Sequence, residues 1–480
     1  MVYCGPMSLD RRQFISVLGA GAALGSARVQ ADAAPPLPSW LEPYRQPAEL
    51  ILQGALADHA AWERLAELTD TFGHRLSGSA SLEAAIRWVV QQMAQDGLEA
   101  VRAEPVKVPR WVRGDERLEM VRPFPRRLPM LGLGGSIATP HDGLEAELMV
   151  VDSFAELERR RDEARGRIVL FNAPFTDYVS TVVYRTDGPG RAARAGAVAA
   201  LVRSVGPAGL RTPHPGSTRT TAGIPRIPAA AVAVEDARRL RRMADRGQRV
   251  TLRLFMEGKT LPDADSANVV GELRGRERPG EIVLVGAHLD SWDVGDGASD
   301  NGGGCVAVWE VARLLSRLQL RPRRTVRVVL FTNEENGLRG AYQYRDVHRH
   351  ELPDHVLLVE SDLGVAAPGG FGVGGGESVQ RQVKAIAGLL APIGATGVQP
   401  SGGGADIRPS AEVAGTPMLS PDVDSSRYFI VHHTDADTID RIAPGDMAKH
   451  VAALAVMTYV VADMPHRLGQ EPEGSPPVSQ

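Results

Sequence analysis

Three apolar runs in the C-terminal half of the sequence are each followed by residues that can bind a metal ion. The run EIVLVGA precedes His288 and Asp290. The run TVRVVLF precedes Glu334 and Glu335, and HVLLVE precedes Asp362. Uninterrupted apolar runs of this length are typical of buried parallel strands, and ligands in open α/β sheets bind beyond the carboxyl ends of the strands. The sequence therefore predicts that these side chains meet at one edge of a sheet.

Two further segments add candidate ligands to this edge. Asp300, in SDNGGG, precedes a predicted helix, and the segment YFIVHHTDADT supplies His432 and His433. A mixed set of imidazoles and carboxylates suits zinc or another first-row divalent ion. Carboxylates at close range repel one another, and two cations that share a bridging carboxylate would account for their crowding.

The elements that must position these residues predict an α/β fold, with a mixed, largely parallel sheet flanked by helices. The segment SLEAAIRWVVQQMAQDGLEA has the apolar spacing of a helix, with Ser81 as its N-cap and Gly97 after its end. The segment VRAEPVKVPRWV is a predicted strand.

Residues 122–265 differ in character from the rest of the chain. Short apolar strands alternate there with small helices and Gly/Pro turns, and no cluster of His and acidic residues occurs. This pattern predicts a smaller, β-rich α/β domain inserted into a main domain formed by residues 34–121 and 266–466. Residues 467–480 are predicted to be a disordered tail.

The composition and the N-terminus bear on location. Lys and Arg number 54 and Asp and Glu 58, so no excess of basic charge points to nucleic acid or to an anionic membrane. The segment SLDRRQFISVLGAGAALG places paired arginines before a mild apolar run, which predicts a twin-arginine-type export signal over residues 1–33. The run is too short for a stable membrane span, so we expect an exported, periplasmic or secreted bacterial protein.

The motifs H-x-D, D-N-G-G-G, N-E-E, E-S-D and H-H-T-x-A-D-T occur in this order. The set resembles the M28 family of dizinc exopeptidases, and within it the carboxypeptidase Q-like (plasma glutamate carboxypeptidase) and bacterial aminopeptidase group. The segment 122–265, with GRIVLFNAP and RAARAGAVAALV, resembles a protease-associated domain. The resemblance implies a zinc-exopeptidase fold with such an insert.

The resemblance also implies two Zn²⁺ ions per subunit and the residues that hold them. The implied ligands are His288 and Asp362 for one ion, Glu335 and His433 for the other, and Asp300 as the bridge between them. In the family pattern the last ligand directly precedes a threonine, which favours His433 over His432. A cis peptide bond after the bridging carboxylate, Asp300–Asn301, is implied as well.

Other roles follow from the same resemblance. Glu334 is the expected general base, and Asp290 is expected to form a hydrogen bond with the first zinc-binding histidine and to fix its tautomer. Adjacent residues of an extended segment point in opposite directions, so neighbouring glutamates can divide the tasks of base and ligand. His432 and Tyr428 are candidates for stabilising the oxyanion. Residues 401–406 correspond to a segment that lines the substrate pocket in the family, and Asp406 is a candidate for orienting a group there.

Three nearby residues are given no role in this chemistry. Cys305, at the start of a predicted helix, is expected to be a small buried hydrophobic residue rather than a nucleophile. Asp293 and Asp296 are expected to be solvated acids of a loop.

The predicted function is that of a metal-dependent exopeptidase. It would hydrolyse the terminal peptide bonds of short peptides or dipeptides with a water molecule activated by two zinc ions. Aminopeptidase or dipeptidase activity is favoured over carboxypeptidase activity, and a homodimer is implied by the resemblance. The alternatives are a non-catalytic binding protein with the same fold and a single-zinc transferase resembling glutaminyl cyclases.

Overall fold

The computed structural model describes residues 37–470. The predicted export signal lies outside this part of the chain. Residues 467–470, predicted to belong to a disordered tail, are ordered: Arg467 pairs with Glu281 and Asp354, and Leu468 is buried. The rest of the predicted tail lies outside the described residues. Between residues 37 and 470, no helix combines the length and apolar character needed to cross a bilayer.

Within residues 37–470, sixteen strands form two sheets. The first nine are β1 (Glu99–Val112), β2 (Glu116–Arg122), β3 (Arg126–Leu128), β4 (Met130–Gly132), β5 (Leu144–Val151), β6 (Ile168–Phe171), β7 (Ala199–Arg203), β8 (Ala229–Val232) and β9 (Thr251–Met256). The other seven are β10 (Lys259–Leu273), β11 (Arg278–His288), β12 (Arg324–Phe331), β13 (His355–Glu360), β14 (Gly370–Gly374), β15 (Gly397–Gln399) and β16 (Met418–Asp422).

Thirteen α-helices accompany the strands. The first seven are α1 (Arg45–Leu56), α2 (Ala60–Phe72), α3 (Ala80–Gln95), α4 (Phe154–Arg159), α5 (Tyr178–Thr186), α6 (Gly188–Arg194) and α7 (Val234–Asp245). The other six are α8 (Gly303–Arg317), α9 (Arg339–Val347), α10 (Glu377–Ala387), α11 (Arg408–Ala414), α12 (Tyr428–Val431) and α13 (Pro444–Asp463).

The main sheet has the strand order β1-β10-β12-β11-β13-β16-β14-β15. Its centre, β12-β11-β13-β16, is parallel. β10 pairs antiparallel with β12, and β1 pairs antiparallel with β10. Helices α8 and α13 pack on one face of the central strands. On the other face the core includes Tyr344 of α9 and Ala411 of α11, packed against strand residues such as Leu284 and Leu358. The predicted mixed, largely parallel α/β sheet flanked by helices is confirmed.

The second sheet has the order β3-β2-β9-β5-β6-β7-β8-β4, with β5-β6-β7-β8 parallel. Helix α7 packs on one face and α4 and α6 on the other. The sheet begins at Glu116 and ends at Met256, before the predicted insert limits of 122 and 265. The physical reason is the pairing of β1 with β10, two long strands that both belong to the main sheet.

Helix α3 begins slightly earlier than predicted. The side chain of Ser79, not Ser81, accepts the capping hydrogen bond, from the backbone N–H of Leu82 at 3.1 Å. Ser81 donates its own hydroxyl to the His74 carbonyl. The prediction was wrong because both serines precede the apolar repeat and only the geometry separates them.

A cluster of charged side chains fastens α9 and the segment after it to the main sheet. Arg327 of β12, which is 6% exposed, donates to Glu272 and Glu351 at 2.8 Å each and to the Tyr344 hydroxyl at 3.0 Å. His348 also lies 3.0 Å from the Glu351 carboxylate. Burial opposes ionisation of Glu351, but the hydrogen bonds and charges of Arg327 and His348 lower its pKa to about 2.

This pKa predicts an acid sensitivity that one substitution should remove. The folded state lowers the pKa of Glu351, so its contribution to stability is complete above pH 4.5 and is lost as the pH falls towards 2. We expect Glu351→Gln to lower the Tm at pH 7 and to flatten the decline of Tm between pH 5 and pH 3.5, measured by circular dichroism. The exposed Glu412→Gln should change neither, and an unchanged slope in Glu351→Gln would contradict the assignment.

Candidate metal centre

The parallel strands bring the predicted groups to one edge of the main sheet. His288 is the last residue of β11 and lies opposite Phe331, the last residue of β12. Gly286 lies opposite Glu360, the last residue of β13. The segments that follow these strands carry Glu334, Glu335 and Asp362, so three strand ends supply side chains to one place.

Asp300 lies at the centre of this group, with its two oxygens facing different histidines. Its Oδ1 is 3.3 Å from His288 Nε2, and its Oδ2 is 3.2 Å from His433 Nε2. The residue lies in a short irregular turn, Ala298–Gly302, and the Asp300–Asn301 peptide bond is cis. One carboxylate therefore contacts two imidazoles on opposite sides.

Each histidine contacts one more carboxylate. His288 Nε2 lies 2.9 Å from Asp362 Oδ1, and His433 Nε2 lies 2.9 Å from Glu335 Oε2. The other oxygen of Glu335 is buried without a hydrogen-bond partner. Ligand atoms around a tetrahedral zinc ion lie about 3.3 Å apart, so atoms 2.9–3.3 Å apart with an orphaned carboxylate oxygen fit a metal site.

The orientation of both imidazole rings is fixed from behind. His288 Nδ1 lies 2.9 Å from the Asp290 carbonyl oxygen, and His433 Nδ1 lies 3.1 Å from the Pro215 carbonyl oxygen. A carbonyl only accepts, so Nδ1 carries the proton and Nε2 presents its lone pair towards the carboxylates. This is the arrangement that a metal-binding histidine requires.

The predicted contact of Asp290 differs in one respect. Its main-chain oxygen, not its carboxylate, accepts the hydrogen bond from His288, and the carboxylate stands 3.9 Å from Nδ1. The carboxylate instead accepts from the backbone N–H groups of Glu334 and Glu335 at 3.1 and 3.3 Å, and from the Ser77 hydroxyl. Asp290 therefore fixes both the histidine and the pair of glutamates.

The electrostatics of the cluster favour positive charge. Burial raises the pKa of Glu335 to about 7, and the nearby charge of Asp300 adds to the effect. Burial alone would lower the pKa of His433, but the charges and hydrogen bonds of Glu335 and Asp300 raise it to about 9. Both shifts have the same cause, an excess of buried carboxylate, which a divalent cation would neutralise.

Two residues that hold the site loops were not predicted. The Asp437 carboxylate accepts from the backbone N–H groups of Ser299 and Asp300 at 2.7 and 3.0 Å. Asp437 lies within H-H-T-x-A-D-T, so the motif carried a signal for it. Arg75 is fully buried, and its guanidinium donates to the carbonyl oxygens of four residues: Gly73, Leu289, Asp296 and Gly297. Nothing in the sequence around Arg75 marks it.

The three candidate substrate or oxyanion residues lie at different depths. His432 stacks on His433 with ring centroids 3.6 Å apart, but its Nε2 is 3.9 Å from Asp300 Oδ2, farther than that of His433. The ring of Tyr428 lies 5.2 Å from that of His432. Asp406 is fully buried beside Glu360, which accepts from the Asp406 backbone N–H. The Asp406 carboxylate has no access to solvent in this structure, and its role at the substrate pocket stays a prediction.

The remaining residues of the motif region have mixed outcomes. Cys305 is buried, as predicted, and its thiol donates to the His288 carbonyl at 2.9 Å. Asp293 is not a solvated acid, since its carboxylate accepts from Arg113 Nε at 2.9 Å. Asp296 keeps a partly exposed side chain. Asp293 therefore ties the loop after β11 to the connection between β1 and β2.

Comparison with known proteins gives one consistent family. Residues 268–458 match Peptidase family M28. Human carboxypeptidase Q is 45% identical over 412 residues, which cover 86% of this chain and 87% of the human protein. The Xenopus laevis carboxypeptidase Q is 43% identical over 88% of this chain and 91% of its own length.

Solved structures agree with the sequence comparison. A peptidase M28 precursor from Shewanella amazonensis superposes with a TM-score of 0.86 at 34% identity, over 89% of this chain and 99% of the other. A zinc aminopeptidase from Bacillus subtilis has a TM-score of 0.64 at 21% identity, over 84% and 94% of the two chains, which shows a shared fold. The chain belongs to peptidase family M28. The predicted class, a metal-dependent exopeptidase, is thereby confirmed.

The geometry predicts different effects for the two adjacent histidines. Of these two histidines, only His433 has a ring Nε2 atom within 3.3 Å of two carboxylates, whereas His432 Nε2 lies 3.9 Å from Asp300. If His433 is the predicted ligand, we expect His433→Ala to weaken zinc binding by more than the roughly 10–100-fold that loss of an outer contact costs. His432→Ala should leave zinc affinity within a few-fold of wild type. Competition with a chromogenic chelator measures both, and the reverse order of effects would make His432 the ligand.

Proposed function

We propose that this chain is a dizinc exopeptidase that cleaves dipeptides or the terminal bonds of short peptides. The observation that carries the proposal is the position of Asp300, with one oxygen directed to each of two histidine–carboxylate pairs. A single metal site would not require a carboxylate shared in this way.

In this proposal the donor atoms divide into two sets. His288 and Asp362 would hold one zinc ion, His433 and Glu335 the other, and Asp300 would bridge them. Zinc bound there would supply a Lewis acid that polarises the scissile carbonyl and acidifies a water molecule.

Glu334 is the proposed general base. It is partly exposed, in contrast to the buried Glu335, and the donation of both backbone N–H groups to Asp290 fixes the two residues relative to each other. A carboxylate so placed can take a proton from the attacking water and pass it to the nitrogen of the leaving amine.

His432 and Tyr428 are the proposed groups for stabilising negative charge on the carbonyl oxygen. His432 Nδ1 is buried without a hydrogen-bond partner, and its other ring nitrogen faces Asp300. The ring of Tyr428 packs against His432 and is 9% exposed. Both side chains therefore lie at the border of the acidic cluster, where a substrate carbonyl would enter.

The substrate is proposed to be small. A cavity of about 120 Å³ opens beside Asp362. Apart from His450, its lining has no basic side chain. The other lining residues are Ser361, Leu363, Gly364, Gly403, Gly404, Ser420, Pro421 and Val423. It suits an uncharged side chain of a terminal residue. The relatives named carboxypeptidase Q favour a substrate with a free carboxylate, so carboxypeptidase activity now ranks beside dipeptidase activity.

The location, assembly and insert complete the proposal. The paired arginines near the N-terminus support export to the periplasm or beyond, by the twin-arginine route. A homodimer and a protease-associated character of the second sheet are proposed on the family resemblance.

A panel of substrates tests the substrate class. Free dipeptides, N-blocked dipeptides and aminoacyl anilides, offered to zinc-loaded and chelated enzyme, separate dipeptidase, carboxypeptidase and aminopeptidase activity. Metal analysis in parallel should give two zinc ions per chain. One zinc ion, together with cyclisation of an N-terminal glutamine and no hydrolysis, would favour the transferase alternative.

A change at Glu334 separates the base from the ligands. Glu334→Gln keeps the size of the side chain but cannot accept the proton, so kcat should fall by about 10²–10⁴-fold. The zinc content should stay at the wild-type value. Loss of zinc from this variant, measured by atomic absorption, would show that the roles of Glu334 and Glu335 are reversed. Glu412→Gln, on the surface, serves as the matched control.

A further inference from the structure

One short segment from the second-sheet part of the chain contacts the centre at three points. It runs from His214 to Ser217, between β7 and β8. The His214 ring donates to the His432 carbonyl at 2.8 Å, and the Pro215 carbonyl accepts from His433 Nδ1 at 3.1 Å. The Ser217 hydroxyl donates to the Glu335 carbonyl at 2.9 Å. Residues remote in sequence from the metal-binding motifs therefore contact the main chain of His432 and Glu335 and the ring of His433.

Arg185 of α5 holds this segment in place. It is 5% exposed, and its Nη1 donates to the Pro215 carbonyl at 3.0 Å. That carbonyl oxygen thus uses both lone pairs, one for Arg185 and one for His433. A Cβ atom at Gly216, where φ is +141°, would lie 2.2 Å from the Arg185 Cζ atom, so the segment wraps closely around the guanidinium.

The same guanidinium also fixes an aromatic contact of the other histidine. Arg185 Nη2 donates to the Tyr178 hydroxyl at 2.8 Å. The Tyr178 ring meets the His432 ring edge-on, at a centroid distance of 5.2 Å and an angle of 88°. One cation therefore reaches both adjacent histidines, each through a single intermediate group.

The surroundings of Arg185 suggest that its position serves the centre. Within residues 37–470, the hydrogen bonds of the Arg185 guanidinium go to neutral oxygens rather than to a carboxylate, and its Nε is buried without a partner. Burial of an unpaired charge costs several kcal/mol. A nearby excess of carboxylate, such as the cluster around Asp300, offsets that cost in the folded protein.

We propose that Arg185 is a positioning residue for the metal centre, which orients His433 through the Pro215 carbonyl and His432 through Tyr178. This proposal rests on the proposed function, in which His433 binds zinc. In this proposal, the segment 122–265 contributes to the metal centre itself and does not only cover it.

Substitution of Arg185 tests the proposal, with zinc affinity as the main readout. Loss of a group that orients a metal-binding histidine typically costs 10–100-fold in metal affinity, and we expect a loss in this range for Arg185→Gln. At saturating zinc, kcat for a dipeptide should fall while KM changes little. Arg185→Lys keeps the charge and one donor, so its zinc affinity should lie between those of Arg185→Gln and wild type.

Two further variants keep the test decisive. Arg191→Gln, in the neighbouring helix α6, removes a guanidinium that stacks on Phe154, and it should bind zinc as wild type does. Tyr178→Phe keeps the ring and removes only the hydroxyl that Arg185 binds, so it should fold normally and lower kcat several-fold.

The outcomes separate this proposal from the proposed function. A folded Arg185→Gln protein with zinc affinity within twofold of wild type would overturn the role of Arg185. If Arg185→Gln does not fold, unchanged zinc affinity and kcat in Tyr178→Phe would overturn it instead. Wild-type protein that binds zinc but cleaves no peptide would contradict the proposed function, and the zinc affinities would still test the role of Arg185.

Discussion

Repulsion between buried carboxylates is the constraint on which the structure around the centre depends. Asp300, Glu335 and Asp362 each lie within 3.3 Å of a histidine nitrogen. Asp300 and Glu335 are buried, and Asp362 is partly exposed. Negative groups so close together raise one another's proton affinity or attract cations. The site therefore exists only because other parts of the chain hold these groups against their repulsion.

A few buried polar side chains keep these carboxylates in place through hydrogen bonds to the backbone of the loops that carry them. Asp437 binds two N–H groups of the turn that carries Asp300, and Asp290 binds the N–H groups of both glutamates. Arg75 gathers the carbonyl groups of the loop after β11. Each of these contacts fixes main chain rather than a ligand atom, so the donor atoms remain free for a metal.

The sequence indicates the candidate ligands more clearly than the residues that hold their loops in place, for a physical reason. The strand runs before His288, Glu334 and Asp362 are mainly apolar, and the end of a parallel strand has a defined place in the sheet. The order of the motifs then added Asp300 and His433. Periodicity and motif spacing report on residues that are close in sequence. They carry no signal for a contact between distant segments, such as that between Pro215 and His433.

Errors in the prediction share this origin. Asp293 lies in a loop that contains Gly295 and Gly297, and acidic residues of such loops are solvated more often than not. In the folded chain its carboxylate is bound by Arg113. The second sheet begins and ends a few residues before the predicted insert, because the pairing of β1 with β10 joins segments far apart in the sequence.

That pairing sets an order for biogenesis. The strands of the second sheet all lie between Glu116 and Met256, so this sheet has every partner it needs once residue 256 has left the ribosome. The last of the proposed metal donors in the sequence is His433. Strand β1 can join the main sheet only after β10 has been synthesised, because β10 is its pairing partner. The complete set of proposed donors therefore becomes available only after the second sheet has all of its strands.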